Sequence, residues 1–123
     1  MVGAYWEITE EKVPENMASC TTIRWLLSEK DGVPTFYMRM FTMGPNCHIK
    51  GHYHPWEHEI YVLQGEGTIR IGDKKYLVGP GSFIYVPPNV EHEYWSGSTG
   101  LRFLCMIPSK PTAEERGEPS SCK

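Results

Sequence analysis

The chain contains no apolar run long enough to cross a bilayer as a helix, so a membrane is not an expected partner. It contains no Lys/Arg cluster and carries a formal charge of −3, so nucleic acid is not an expected partner either. Cys20, Cys47, Cys105 and Cys122 include no Cys-x-x-Cys pair, which argues against a zinc ribbon. The sequence does not open on a basic segment followed by an apolar stretch, so no export signal is visible. The expected location is therefore cytoplasmic, and the four cysteines are expected to be reduced thiols. No helical apolar period survives beyond a few turns. One short helix is allowed over 7–17, although Pro14 sits inside it. No repeat is present, and 123 residues suffice for one core but not for two.

What the sequence does hold is short β-type segments between frequent breakers. Residues 21–28 and 36–43 flank the turn-rich Glu29-Lys30-Asp31-Gly32-Val33-Pro34 and read as a hairpin. Further strands are predicted at 49–53, 59–63, 68–71, 75–78, 82–86, 91–95 and 101–107. They are separated by Gly65-Glu66-Gly67, Gly72-Asp73, Gly79-Pro80-Gly81, Pro87-Pro88-Asn89 and residues 96–100. Such a pattern predicts an all-β sandwich or barrel. None of the Gly-rich stretches is followed by a helix, so they read as turn glycines, not as a phosphate cradle.

Of the five histidines, four fall in His52-Tyr53-His54-Pro55-Trp56-Glu57-His58 and at His92. Imidazole is the commonest protein metal ligand, and residues i and i+2 on a strand share a face. His52 and His54 can grip one ion together, His58 can close the site from the next strand, and His92 can complete it from a distant one. His48 lies outside this pattern and reads as a surface or strand-end residue. Trp56 and Glu57 read as shaping the turn between ligands, and Glu91 and Glu93 as surface residues beside His92.

The pattern His52-x-His54-x3-His58-x6-Gly65, followed by Gly81-x5-Pro87-x-Asn89-x2-His92, resembles the two motifs of the cupin superfamily. The string from His54 to Leu63 is similar to small single-domain cupins with an all-histidine site. Asn46 stands where the first motif usually opens with Gly, Asn89 replaces a Gly of the second, and Ser96 replaces a terminal Asn. Asn tolerates left-handed backbone better than most residues, so the Asn89 departure is mild. The resemblance implies a jelly-roll β-barrel over residues 1–108, with metal-binding motifs at 52–65 and 81–92. The polar remainder, 109–123, with Pro111, Gly117 and Pro119, is expected to be a disordered tail.

The common cupin pattern places a glutamate third, so His58 and Glu59 compete. Six residues separate His58 from Gly65, the family spacing, and five separate Glu59. Alternation sends only one of the two inward, and His58 shares its face with Ile60 and Val62. The spacing selects His58 and leaves Glu59 outward or behind the ligands. On 36–43, Tyr37, Arg39 and Phe41 oppose Met38, Met40 and Thr42, and both faces are largely apolar. On 101–107, Phe103, Cys105 and Ile107 oppose Leu104 and Met106. The residues leave the inner face open. The resemblance favours Arg39, Phe103, Cys105 and Ile107, with Arg39 serving an anionic substrate and the other three lining the pocket.

Four neutral imidazoles leave one divalent ion its full charge, which suits an anionic chelating ligand. The donor set does not choose among Fe, Mn, Ni, Cu, Co and Zn. The leading expectation is a metal-dependent dioxygenase acting on a small anionic or enol-like molecule. The alternatives are a non-redox isomerase, lyase or cyclase on a sugar acid or polyketide-like substrate, and a non-catalytic small-molecule- or metal-binding cupin. Edge strands need covering, and the apolar Tyr5, Trp6 and Ile8 can add a strand to a partner, which predicts a cyclic homodimer.

Overall fold

The computed structural model of the chain describes residues 1–109. Eight strands form it: β1 (Glu11–Lys12), β2 (Thr21–Leu27), β3 (Phe36–Met43), β4 (His48–His52), β5 (His58–Ile71), β6 (Lys74–Val78), β7 (Phe83–Val86) and β8 (His92–Pro108). All pairings are antiparallel. The architecture is all-β, one jelly-roll barrel in a single domain.

Alternation builds this barrel. β-Branched, aromatic and long apolar residues recur every second position, one face turns inward, and the strands satisfy each other's backbone groups. Along β5, His58, Ile60 and Val62 are buried while Glu59, Tyr61 and Leu63 are exposed. β2 and β3 pair as the expected hairpin, from Thr21 opposite Met43 to Leu27 opposite Met38. The remaining path runs β3-β8-β5-β6, with β4 added to β8 and β7 to β5.

Two boundaries differ from expectation, for one reason. The segments 59–63 and 68–71 are a single strand, β5, and 91–95 and 101–107 belong to a single strand, β8. Gly65 and Gly67 are not turn glycines. They sit where β5 crosses β8, and the register shifts between Val62 and Gln64 and between Gly65 and Gly67. A Cβ on Gly65 would lie 2.1 Å from the Gly100 carbonyl oxygen, and one on Gly67 would lie 2.3 Å from that of Trp95. Gly65 also has φ +84°. The glycines allow close approach at a bulge, so the strands bend there and pass from one face of the barrel to the other.

The N-terminal segment also differs. No helix spans 7–17. A 3-10 turn covers Tyr5–Glu7, β1 follows, and the carbonyl of Pro14 accepts from Met17 and Ala18 at 2.9 and 3.1 Å. Pro14 has no N–H to give a helix. The segment is pinned to its own chain, since β1 pairs with β2 and the Tyr5 ring lies 5.4 Å from the Arg24 guanidinium and 5.1 Å from that of Arg102. Ser109, assigned to the tail in the sequence reading, is 3 % exposed and hydrogen-bonds Thr35 and Pro34. The rest of that expectation, 110–123, lies outside the described residues.

The thiol expectation fails at two positions. Cys20 and Cys47, 27 residues apart in sequence, form a disulfide, while Cys105 is free and buried. Two neighbouring turns bring the pair together, which spacing alone does not reveal. Among the described residues no helix is long and apolar enough to cross a membrane.

Candidate functional site

His52 ends β4, His58 opens β5 and His92 opens β8, while His54 lies in the connection between β4 and β5 and not on a strand. His52 and His92 are directly paired across β4 and β8. Their ring centroids are 4.3 Å apart, and those of His58 and His92 are 4.7 Å apart. His54 lies 5.1 Å from His52, 5.3 Å from His58 and 6.4 Å from His92. His54, His58 and His92 are buried, whereas Glu59 is exposed. The four rings predicted to act together converge. As placed, no three or more His, Cys, Asp or Glu side chains among the described residues form a metal-holding group.

Local structure orients these rings. His52 Nδ1 lies 2.8 Å from the Lys50 carbonyl and His92 Nδ1 3.1 Å from that of Val90. A carbonyl only accepts, so Nδ1 carries the proton in both rings and fixes their tautomer. His54 Nε2 is buried with no hydrogen-bond partner. The Asn89 amide donates to the His54 carbonyl at 2.6 Å, and Asn89 takes φ +65°, the left-handed conformation its family position requires.

Burial separates the two faces clearly on β8 and less cleanly on β3, where Met40 of the opposite face is buried as well. Arg39 is 0 % exposed, and Phe103, Cys105 and Ile107 are buried, whereas Met38, Leu104 and Met106 are less so. Arg39 Nη2 donates to Cys105 Sγ at 2.9 Å, and the guanidinium lies 5.1 Å from the Phe41 ring and 5.5 Å from that of Trp25. Phe41 stacks on Phe103 at 5.3 Å, Phe103 on Tyr94 at 5.1 Å, and Tyr94 meets His92 edge-on at 5.8 Å. An aromatic ladder therefore runs from Arg39 to the histidines.

Three features escape the sequence reading. Trp56 is wholly buried and stacks on His54. Tyr94 shares the inward face of His92, a placement its i+2 spacing could have signalled. The strap 13–19 walls a cavity of about 100 Å³ beside His52, where Val13 and Met17 face Ile49, Lys50 and Phe41. The strap is tied to β4 by Ser19 N to His48 O at 2.9 Å and Lys50 N to Met17 O at 2.8 Å.

On the outer face, Glu93 is partly buried, not simply a surface residue. It pairs with His48 and accepts from Arg70 at 2.7 Å. Burial pushes its carboxyl up, but the hydrogen bonds from Arg70 and His48 outweigh burial and hold it below the usual carboxylate range. Arg70 is held above its ordinary value by hydrogen bonds to Glu93 and Glu91.

Known proteins are similar to this chain in sequence and fold. L-ectoine synthase of Bordetella petrii is 32% identical over 95 residues, covering 75% of this chain and 70% of that protein. The polyketide cyclase RemF from Streptomyces resistomycificus superposes with a TM-score of 0.81 at 30% identity, covering 99% of this chain and 96% of RemF. A predicted oxalate decarboxylase from Thermotoga maritima superposes at 0.78 with 28% identity, covering 89% and 99% of the two chains. The model of the cupin domain matches residues 39–107, the span that holds all four clustered histidines, and the chain belongs to the cupin family.

Proposed function

We propose that this cupin is a metal-dependent, non-redox enzyme of cyclase type, acting on a small enolisable or anionic organic molecule, with His52, His54, His58 and His92 as the ligands of one divalent ion. The observation that carries the reading is the convergence of four imidazoles, three of them buried, in a barrel similar over nearly its whole length to a polyketide cyclase.

The residues fit such an ion. Rings sharing one ion at metal–nitrogen distances of about 2.0–2.1 Å have centroids roughly 4.5–6.5 Å apart. The separations here run from 4.3 to 6.4 Å, with the His52–His92 pair just under that range. The buried, unpartnered Nε2 of His54 is the orphan donor atom that an ion would satisfy. An ion bound there would supply Lewis-acid polarisation of a substrate carbonyl or enolate oxygen.

The remaining chemistry belongs to the chain. The carbonyls of Lys50 and Val90 hold two rings in the ligating tautomer. The guanidinium of Arg39 places positive charge on the inner wall, where it favours an anionic substrate group. Phe41, Phe103 and Tyr94 offer an apolar surface to the substrate body, with Cys105 and Ile107 completing the wall. The strap 13–19 walls the small cavity beside His52.

Metal analysis of protein purified without supplementation, followed by turnover of a β-polyketone panel with and without oxygen, tests the reading. We expect near-stoichiometric divalent metal and product formation under argon. Oxygen uptake matching product would replace the cyclase with the dioxygenase expected from the sequence. Alanine at any of the four histidines should strip the metal, and Glu59→Gln should not. A structure with Glu59 ligating would reverse that choice. We also propose a cyclic homodimer, formed through the exposed Tyr61, Phe83 and Tyr85 of the outer face and not through residues 1–10. Light scattering giving the mass of one chain at micromolar concentration would remove it.

A further inference from the structure

We propose that Trp56 is a positioning residue of the histidine cluster, setting the plane of His54 and holding an indole N–H for an anionic ligand. The proposal rests on the four-imidazole reading. Trp56 lies in the short connection between His54 and His58, and at 1 % exposure it is among the most buried large side chains of the protein. Its indole is parallel to the His54 imidazole, with an interplanar angle of 1° and centroids 4.7 Å apart.

The contrast with the other rings gives this stack its meaning. His52 and His92 take their orientation from backbone carbonyls that accept from Nδ1. His54 follows β4 in a loop, where no strand pairing fixes its side chain. The flat indole is the surface that keeps the His54 ring in one plane. Rotating the ring away from that plane loses the stack, and keeping it there aims Nε2 consistently. A ligand ring that wobbles binds metal less well, because the ordering cost then falls on the binding step.

The indole carries a second feature. Trp56 Nε1 is buried and has no hydrogen-bond partner. An unmade buried donor is costly, and buried indoles ordinarily find an acceptor. A residue serving only to fill a turn would be replaced without loss by an aliphatic side chain. An N–H kept dry on an indole stacked against His54 instead suits an acceptor that arrives with the ligand, an oxyanion or a small anion.

The test uses the full chain loaded with Co(II), a probe whose visible spectrum reports ligand geometry, and azide as the anion. Trp56→Leu keeps apolar bulk and removes the plane. Trp56→Phe keeps a plane and removes the N–H. Chelator competition should show Co(II) affinity lowered about tenfold or more in the Leu variant, with an altered spectrum. The Phe variant should recover both affinity and spectrum. Azide should bind the Co(II)-loaded Phe variant about tenfold more weakly than the wild type, the loss expected for one hydrogen bond to a charged group. Circular dichroism checks folding, and if the Leu variant does not fold, the Phe variant alone carries the azide comparison. A folded Leu variant with wild-type Co(II) affinity and spectrum overturns the positioning role. Unchanged azide affinity in the Phe variant overturns the donor role. A wild-type protein that takes up no Co(II) overturns the four-imidazole reading itself, which is a different failure.

Discussion

The Asn89 amide donates a 2.6 Å hydrogen bond to the His54 carbonyl, joining the turn that leads into His92 to the loop that carries His54. The geometry depends on Asn89 holding φ +65°. Asn89→Gly should therefore be tolerated, because glycine reaches this conformation freely. Asn89→Val should destabilise the fold by about 1–2 kcal/mol, the left-handed penalty that the short polar Asn side chain largely escapes and a β-branched one does not. Urea unfolding measures both, and equal midpoints for Gly and Val would disprove the backbone argument.

Arg39 is buried beside Cys105, Phe41 and Trp25. Arg39→Leu should raise KM or lower kcat by about tenfold while the metal stays bound, since the residue lies behind the ligands. Replacing a buried charge with an apolar side chain is often neutral for stability, so the melting temperature should hold. Metal loss in this variant would make Arg39 structural. Unchanged kinetics would remove the argument for an anionic substrate.

The Cys20–Cys47 disulfide closes a loop with a sequence separation of 27. Cross-linking a loop of that size stabilises a domain by about 3.5 kcal/mol through the unfolded chain. Dithiothreitol, or Cys20→Ser, should lower the urea midpoint accordingly. A midpoint indifferent to reductant would show that the pair contributes nothing to stability.

Glu93 connects the outer faces of β8, β4 and β5 through Arg70 and His48. Its carboxyl is held below its ordinary value, so it binds protons less readily folded than unfolded. The resulting stability is present above the unfolded value of about 4.3 and is lost as pH falls through the lower folded value. Glu93→Gln should weaken the protein at neutral pH and flatten its loss of stability below pH ~4. Parallel pH–stability curves for wild type and variant would refute the coupling.

Most of the barrel is legible in the chain because period-2 alternation survives wherever one face meets the core, as on His58–Leu63. The four histidines are legible for the same reason, being tied to strand ends and turn residues at fixed offsets. What escapes is what depends on residues far apart in sequence. Gly65 and Gly67 look like a turn from their neighbours, and only the closeness of Gly100 and Trp95 shows them to be a crossing. Cys20 and Cys47 carry no local sign of each other. Arg39 could face either way because both faces of β3 are apolar, and its full burial appears only in the structure. Trp56 reads as turn filler until the stack on His54 is seen.

The glycine crossing has a consequence for the histidines. His58 begins β5, and Ile71, paired with His92, ends it, yet the His58 and His92 rings are 4.7 Å apart. A straight strand of that length would separate its ends by roughly 40 Å. β5 works like a bent spring clip whose bow is Gly65–Gly67 and whose tips carry the imidazole spacing. His58 lies roughly 23 Å along the strand from Gly65 and Ile71 roughly 13 Å from Gly67, so a small change of angle at the bow is magnified at the ligands. A β-carbon at either glycine would prise the tips apart, and the binding centre would lose its aperture without any change to its own side chains.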